Sequence, residues 1–194
     1  MARYTGPKWK ISRRENFDVY GSQTWRKRPN PPGTSINPKG RPSNYAMQFR
    51  EKQKVKRIYG LMEKQFKKIY QTASKATGNT GTRMLQLLEL RLDNVVYKQK
   101  LARTRNQARQ YVTHGHICVN GKKVTVPSYT LSVGDEVTMN ENFLKQDHIK
   151  VMQAELKSIK VPEWLKNGKV QSIPSRDMID QAIEEQQIIE FYSR

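Results

Sequence analysis

The chain has 194 residues, 36% of them hydrophobic, and its 36 Lys and Arg against 17 Asp and Glu give a net charge of +19 at neutral pH. That length holds one or two small domains, and the low apolar content implies that part of the chain is extended or orders on a partner. No apolar run approaches the roughly 20 residues of a membrane span, no apolar stretch follows the N-terminal cation as in a secretory signal, and a single cysteine, Cys118, excludes an internal disulfide and a thiolate zinc site and suits a reducing cytoplasm.

The charge is concentrated at the front. Residues 1–80 carry 19 Lys and Arg against 4 Asp and Glu, residues 81–130 carry 9 against 2, and residues 131–194 carry 8 against 11. Cations packed in this way repel one another unless an anionic polymer neutralises them and releases its counterions. A merely solvated face would interleave both signs. The pattern points to nucleic acid.

Residues 1–43 read as an extended basic arm. Six of the nine prolines lie there (Pro7, Pro29, Pro31, Pro32, Pro38, Pro42), Gly6, Gly21, Gly33 and Gly40 add turns, and no helical or strand period persists. Arg3, Lys8, Lys10, Arg13, Arg14, Arg26, Lys27, Arg28, Lys39 and Arg41 alternate with Tyr4, Trp9, Phe17, Tyr20 and Trp25. That mixture suits phosphate contact and stacking on exposed bases. Pro31-Pro32-Gly33 reads as a turn.

From Ser43 the pattern becomes helical. Ser43 or Asn44 can cap the start, and Val55, Ile58, Tyr59, Met62, Phe66, Ile69 and Tyr70 form an apolar stripe at spacings of three and four. The opposite face carries Arg50, Lys52, Lys54, Arg57, Lys64, Lys67 and Lys68, offset only by Glu51 and Glu63, which suits a phosphate-facing surface. Thr77–Thr82, with Gly78 and Gly81, breaks the helix. A second one runs from about Arg83 through Met84, Leu85, Leu88 and Leu92.

Residues 91–140 form a compact unit. Arg91–Tyr97 reads as a helical turn or two. Thr104-Arg-Asn-Gln107 has the spacing of a capping box and opens a helix that runs to His114, with Gly115 where a left-handed residue is wanted. Ile117–Val119 and Lys122–Val124 flank Asn120-Gly121, a strong hairpin signal. Val133-Gly-Asp135 turns into a further strand, Glu136–Met139. Arg105 and Arg109 share a helix face, with Lys122 and Lys123 just beyond, so one cationic patch fed by two elements is expected. Cys118, on an apolar strand, is expected to be buried.

The tail leans acidic from Glu155 to Asp180. Pro162–Leu165 and Gly168–Val170 suggest a turn and a short strand. Arg176–Asp180 opens a final amphipathic helix, with Ile179, Ile183 and Ile188 facing inward, that folds back on the basic helices.

Several segments together resemble a known family. Met-Ala-Arg-Tyr-Thr-Gly-Pro-Lys at 1–8, Arg-Glu-Lys-Gln-Lys-Val-Lys-Arg-Ile-Tyr-Gly at 50–60, Leu-Gln-Leu-Leu-Glu-Leu-Arg-Leu-Asp-Asn-Val-Val-Tyr at 85–97 and Ala-Arg-Thr-Arg-Asn-Gln-Ala-Arg-Gln at 102–110 look like the fourth protein of the bacterial small ribosomal subunit, the uS4 family. So do His-Gly-His-Ile-Cys-Val-Asn-Gly-Lys-Lys-Val at 114–124, Pro-Ser-Tyr at 127–129 and Ile-Glu-Phe-Tyr-Ser-Arg at 189–194. The module at 91–140 by itself also resembles one in pseudouridine synthases.

The resemblance implies an α+β protein. An extended basic arm (1–43) precedes a helical domain (44–90, completed by 178–194), into which a small αα-β-hairpin RNA-binding module (91–155) is inserted, with an irregular return segment (156–177). It implies direct binding to the five-prime domain of small-subunit ribosomal RNA, a part in nucleating assembly, a place near the channel by which messenger RNA enters, contact with the fifth small-subunit protein, an influence on decoding accuracy, and in some members repression of their own message. The implied location is the cytoplasm, bound to ribosomes. Many members carry zinc-binding cysteines near the N-terminus; Trp9 and Ser12 stand at two such positions, so the chain resembles the cysteine-free branch and no metal or cofactor is expected. The family often has glycine around Gln99, where a helix ends.

The expected RNA contacts are Arg3, Tyr4, Lys8, Arg13, Arg14, Arg28, Pro32, Lys39 and Arg41 in the arm, and Arg50, Lys52, Lys54 and Arg57 in the helical part. In the module they are Arg103, Arg105, Arg109, His114, His116, Asn120, Lys122 and Lys123. Asp93 suits an ion pair with a nearby arginine better than acid catalysis. The competing reading is an RNA-modifying enzyme that docks through the same module. It would need a catalytic core for which the arm, basic helices and tail leave no room.

Overall fold

A computed structural model describes residues 4–21, 23–28, 30–33, 42–156, 158–166 and 168–193. Arg3, Lys39 and Arg41 lie outside the described residues. In chain order the elements are α1 (Lys8–Glu15), a 3-10 turn at Gln23–Lys27, α2 (Asn44–Ile58), α3 (Glu63–Ser74), α4 (Thr80–Glu89), α5 (Leu92–Lys98) and α6 (Arg105–Thr113). They continue with β1 (Ile117–Val119), β2 (Lys122–Lys123), β3 (Val137–Met139), α7 (Glu141–Leu144), α8 (Asp147–Leu156), β4 (Leu165–Lys166), β5 (Lys169–Val170), a 3-10 turn at Arg176–Met178 and α9 (Glu185–Tyr192). The protein is α+β, and the chain divides into two units: Met1–Gly81 with Gln181–Arg194, and Thr82–Asp180. No helix among the described residues is long and apolar enough to cross a membrane.

In the first unit, Ser43 caps α2 by accepting from the Ala46 amide at 3.2 Å. The helix expected to continue past residue 60 is broken there. Leu61 N–H donates to Lys56 and Gly60 N–H to Arg57, a Schellman closure. Gly60 takes φ +63, which costs glycine nothing. The turn re-aims α3 while keeping Val55, Ile58, Tyr59, Leu61 and Phe66 buried. α9 packs on α2: Phe191 lies 5.7 Å from Tyr45 and 6.1 Å from Phe49, and Gln48 donates to Glu190 at 2.8 Å. Tyr192 stacks on Tyr70 at 4.6 Å.

The described part of the arm is not extended throughout, since α1 and the 3-10 turn both form. Ile11, Val19 and Trp25 supply apolar groups to bury there. The final helix also differs from the sequence reading. Ile179 is extended (φ −95, ψ 157), residues 176–178 make only a 3-10 turn, and regular helix waits until Glu185, although Ile179, Ile183 and Ile188 are all buried as expected.

The second unit is built on the antiparallel sheet β2-β1-β3, with Val119 opposite Lys122 and Ile117 opposite Met139. α5, α6 and α8 close a core of Leu92, Val95, Val96, Ala108, Val112, Ile117, Ile149, Met152 and Trp164. Thr104 accepts from Gln107 N–H at 3.2 Å, and Gln107 Oε1 accepts in return from Arg103 N–H at 2.8 Å. α7 and α8 were not expected from sequence. Cys118 is half-buried rather than buried, because it lies on the alternate face from Ile117 and Val119.

Candidate nucleic-acid interface

α1 and α2 bring one group of cations together. Oε1 of the buried Glu15 accepts from Nη1 of Arg50 at 3.4 Å and from Arg57. Arg13 and Arg14 donate to the backbone of Asn30 (3.4 Å) and of the buried Pro32 (2.6 Å), tying the loop after the 3-10 turn to α1. Lys8 lies 5.8 Å from the Tyr20 ring, Tyr4 is exposed with its hydroxyl on the Pro7 carbonyl at 3.3 Å, and Arg28 is exposed.

Two expected phosphate ligands are occupied within the protein. Lys52 is buried, with its ammonium 2.6 Å from Glu63 and 4.3 Å from the centre of the Phe191 ring. Burial pushes the Glu63 carboxyl up, but hydrogen bonds from Lys52, Lys56 and Tyr192 outweigh it and hold the group below its usual value. Lys54 pairs with Glu51 at 3.1 Å and donates to the Ala182 carbonyl. The four acids of residues 1–80 are thus turned to internal use: Glu15, Glu51 and Glu63 hold cations, and Asp18 accepts from Tyr20 N–H at 3.2 Å. Lys64, Lys67 and Lys68 on α3 are exposed, and among the described residues none has an acid within ion-pair reach.

In the second unit, Asp93 is doubly paired, with Arg91 at 2.8 Å and Arg109 at 3.2 Å. It serves the fold as an ion-pair centre, as its sequence context suggested. Asn94 donates to Glu89 at 2.7 Å and accepts from Nε of Arg105 at 2.9 Å. The Arg105 guanidinium lies 4.5 Å from the centre of the Tyr97 ring. Both arginines therefore lean on α5. Arg103 pairs with Glu155 in an exposed bridge.

At the other end of α6, Gly115 has φ +74, and a Cβ there would meet Cε of Lys123 at 2.0 Å. The hairpin turn takes φ +50 at Asn120 and +76 at Gly121. The Asn120 side chain is occupied, bonding Asp135 at 2.8 Å and Glu136 N–H at 2.9 Å. Lys122 and Lys123 are exposed. His116 stacks on Phe143 with ring centres 3.9 Å apart and planes 7° apart, and His114 is exposed beside it. Burial, then His114 and Lys123, hold the His116 imidazole below its ordinary value. Arg105 and the His114–Lys123 group stand at opposite ends of α6, about 13 Å apart along a nine-residue helix, so the expected patch is two clusters with Arg109 between them.

Sequence reasoning missed the cations beside Arg105. Lys100 lies 5.4 Å from the Tyr97 ring, and burial, Lys98 and Arg105 lower its pKa. Four cations at 98, 100, 103 and 105 around one tyrosine were the available signal.

A profile described as "Ribosomal protein S4/S9 N-terminal domain" matches residues 3–89, and one described as "S4 domain" matches residues 90–137. Relatives named "Small ribosomal subunit protein uS4" align over the full length of both chains. Those from Halothermothrix orenii, Dictyoglomus turgidum and Nocardia farcinica are 44%, 45% and 46% identical, over 208, 210 and 201 residues respectively.

Proposed function

The chain belongs to the family of small ribosomal subunit protein uS4, and on that premise we propose how it works in the particle. It is a structural constituent of the small subunit that binds small-subunit ribosomal RNA, and it is not an enzyme. Its RNA target is the five-prime domain, which it binds directly and early enough to nucleate assembly. Its place is near the channel by which messenger RNA enters, against the fifth small-subunit protein, where it influences decoding accuracy; it also represses its own message. It resides in the cytoplasm, bound to ribosomes.

The functional divisions are the arm (1–43), the helical domain (44–90 with 178–194), the module (91–155) and the return segment (156–177). The contacts are the arm cations with Tyr4 and Pro32, Arg50 and Arg57 on α2, and Arg103, Arg105, Arg109, His114, His116, Lys122 and Lys123 in the module. Lys52, buried against Glu63, and Lys54, held by Glu51 and the Ala182 carbonyl, support those surfaces from within, while the exposed Asn120, its side chain engaged by Asp135 and Glu136 N–H, meets RNA through the backbone of its turn.

The observation that carries this reading is that every acid in residues 1–80 is already engaged by a protein cation or amide. It leaves the outward cations of α3 for phosphate. Sedimentation of the tagged protein with small subunits through a high-salt cushion tests it. Retention in the small-subunit peak is the expected result, and release at the top of the gradient with no loss of folding would contradict it.

A further inference from the structure

Glu15 departs from the local rules around it. It is the last residue of α1, where the helix end carries partial negative charge and disfavours a carboxylate. It follows Arg13 and Arg14 in an otherwise cationic segment, and its side chain is 1% exposed. Burial lifts its carboxyl above the ordinary range against the pull of Arg57, Arg50 and Arg14. Its Oε2 is buried with no hydrogen-bond partner. A residue so placed is a poor contributor to stability, and breaks of local consistency of this kind gather at functional sites.

Glu15 touches the two α2 arginines that stand two turns apart on one face. Their side chains remain 43% (Arg50) and 28% (Arg57) exposed. A guanidinium has five N–H donors in a planar fork. Glu15 engages only Nη1 of each, so Nη2 and Nε are left to meet phosphate oxygens.

We propose that Glu15 is a positioning residue of the RNA interface, its buried carboxylate holding the guanidinia of Arg50 and Arg57 in one orientation so that both meet the ribosomal RNA backbone without first losing side-chain freedom. This rests on the assignment of Arg50 and Arg57 to RNA contact. Simple charge counting says the opposite: a carboxylate beside two arginines weakens the local positive potential, and its removal should tighten binding.

The test is affinity for a five-prime-domain fragment of small-subunit ribosomal RNA, across a salt series, for the full chain and for Glu15→Gln, Arg57→Gln and the double variant. The expected result is that Glu15→Gln binds about tenfold more weakly despite its extra positive charge, with a salt slope shallower by about 1. It should cost much less when Arg57 is already Gln, a coupling that a general loss of stability does not produce. Equal or tighter binding by Glu15→Gln, or costs that simply add, would overturn the positioning role. An unchanged affinity for Arg57→Gln would instead overturn the assignment of α2 to the interface. Should Glu15→Gln fail to fold, Glu15→Asp, which keeps the charge but retracts the carboxylate, reads the same coupling, and unweakened binding by it overturns the role.

Discussion

Lys100 holds a conformation that suits lysine badly. At φ +62 it closes α5, its N–H donating to Tyr97 and that of Leu101 to Val96, in the place a left-handed glycine usually takes. α5 ends at Lys98 and its left-handed closing residue falls one position after Gln99, near which the family often has glycine, so the residue that would gain from glycine is Lys100. Lys100→Gly is expected to raise the unfolding free energy by about 0.5–1 kcal/mol, measured by urea denaturation. It is also expected to weaken RNA binding and flatten its salt slope by about 1. Strain retained at a cationic residue is what a binding role for that cation predicts.

His116 sets a pH dependence with a definite sign. Its imidazole is held below the ordinary value in the folded protein, so on acidification the unfolded chain takes up the proton first. The contribution of neutral His116 to stability is complete above about pH 6.5 and declines as pH falls below it. His116→Phe should keep the stack on Phe143 and remove this part of the acid sensitivity, read as a flatter plot of melting temperature from pH 7 to 5.

At the scale of elements, caps and turns carried the sequence information. Thr104→Ala removes the acceptor of the Gln107 amide and should cost about 1 kcal/mol, read as faster amide exchange in the first turn of α6. The Asn120-Gly121 hairpin, the Ser43 cap and the closing Gly115 were legible because each depends on neighbours within a few residues. The break at Gly60 was not: the apolar stripe runs through it without a change of period, and one glycine against so strong a stripe did not outweigh it. The late start of α9 was hidden for a related reason. Ile179 and Ile183 are buried without helix, and burial alone does not reveal backbone conformation.

The site was less legible than the fold. Charge showed which surface is cationic, but the acids that hold Lys52 and Arg57 lie 11 and 42 residues away in the chain, and Lys54 adds to its local pair with Glu51 a carbonyl 128 residues away; pairing over such separations leaves no local pattern. Lys52 illustrates the consequence. In the sequence it belongs to the basic face of α2; in the fold its ammonium is sandwiched between Glu63 and the rings of Phe49 and Phe191. Lys52→Gln should therefore lower stability by about 1–3 kcal/mol, with Arg57→Gln the variant that loses RNA affinity; equilibrium unfolding and RNA titration of both separate the two effects.

For the whole molecule the governing quantity is the net charge of +19 with its concentration in residues 1–80. The free protein carries that repulsion within one unit, where the four acids of residues 1–80 are already engaged. Screening should relieve it: the melting temperature of the isolated chain is expected to rise between about 10 mM and 300 mM salt. The same salt weakens RNA binding by counterion competition. Opposite responses of folding and binding to one variable mark a surface built for an anionic polymer.

The most direct measurement is the affinity of the intact chain for a five-prime-domain fragment of small-subunit ribosomal RNA, across a salt series, with excess transfer RNA as competitor. Tight binding that survives competitor and moderate salt is the predicted result, since the proposed contacts on α2, α6 and the hairpin are groups held in place by the fold and suited to one folded RNA. Binding that collapses when transfer RNA is added would contradict the account, leaving only attraction between a cationic chain and any polyanion.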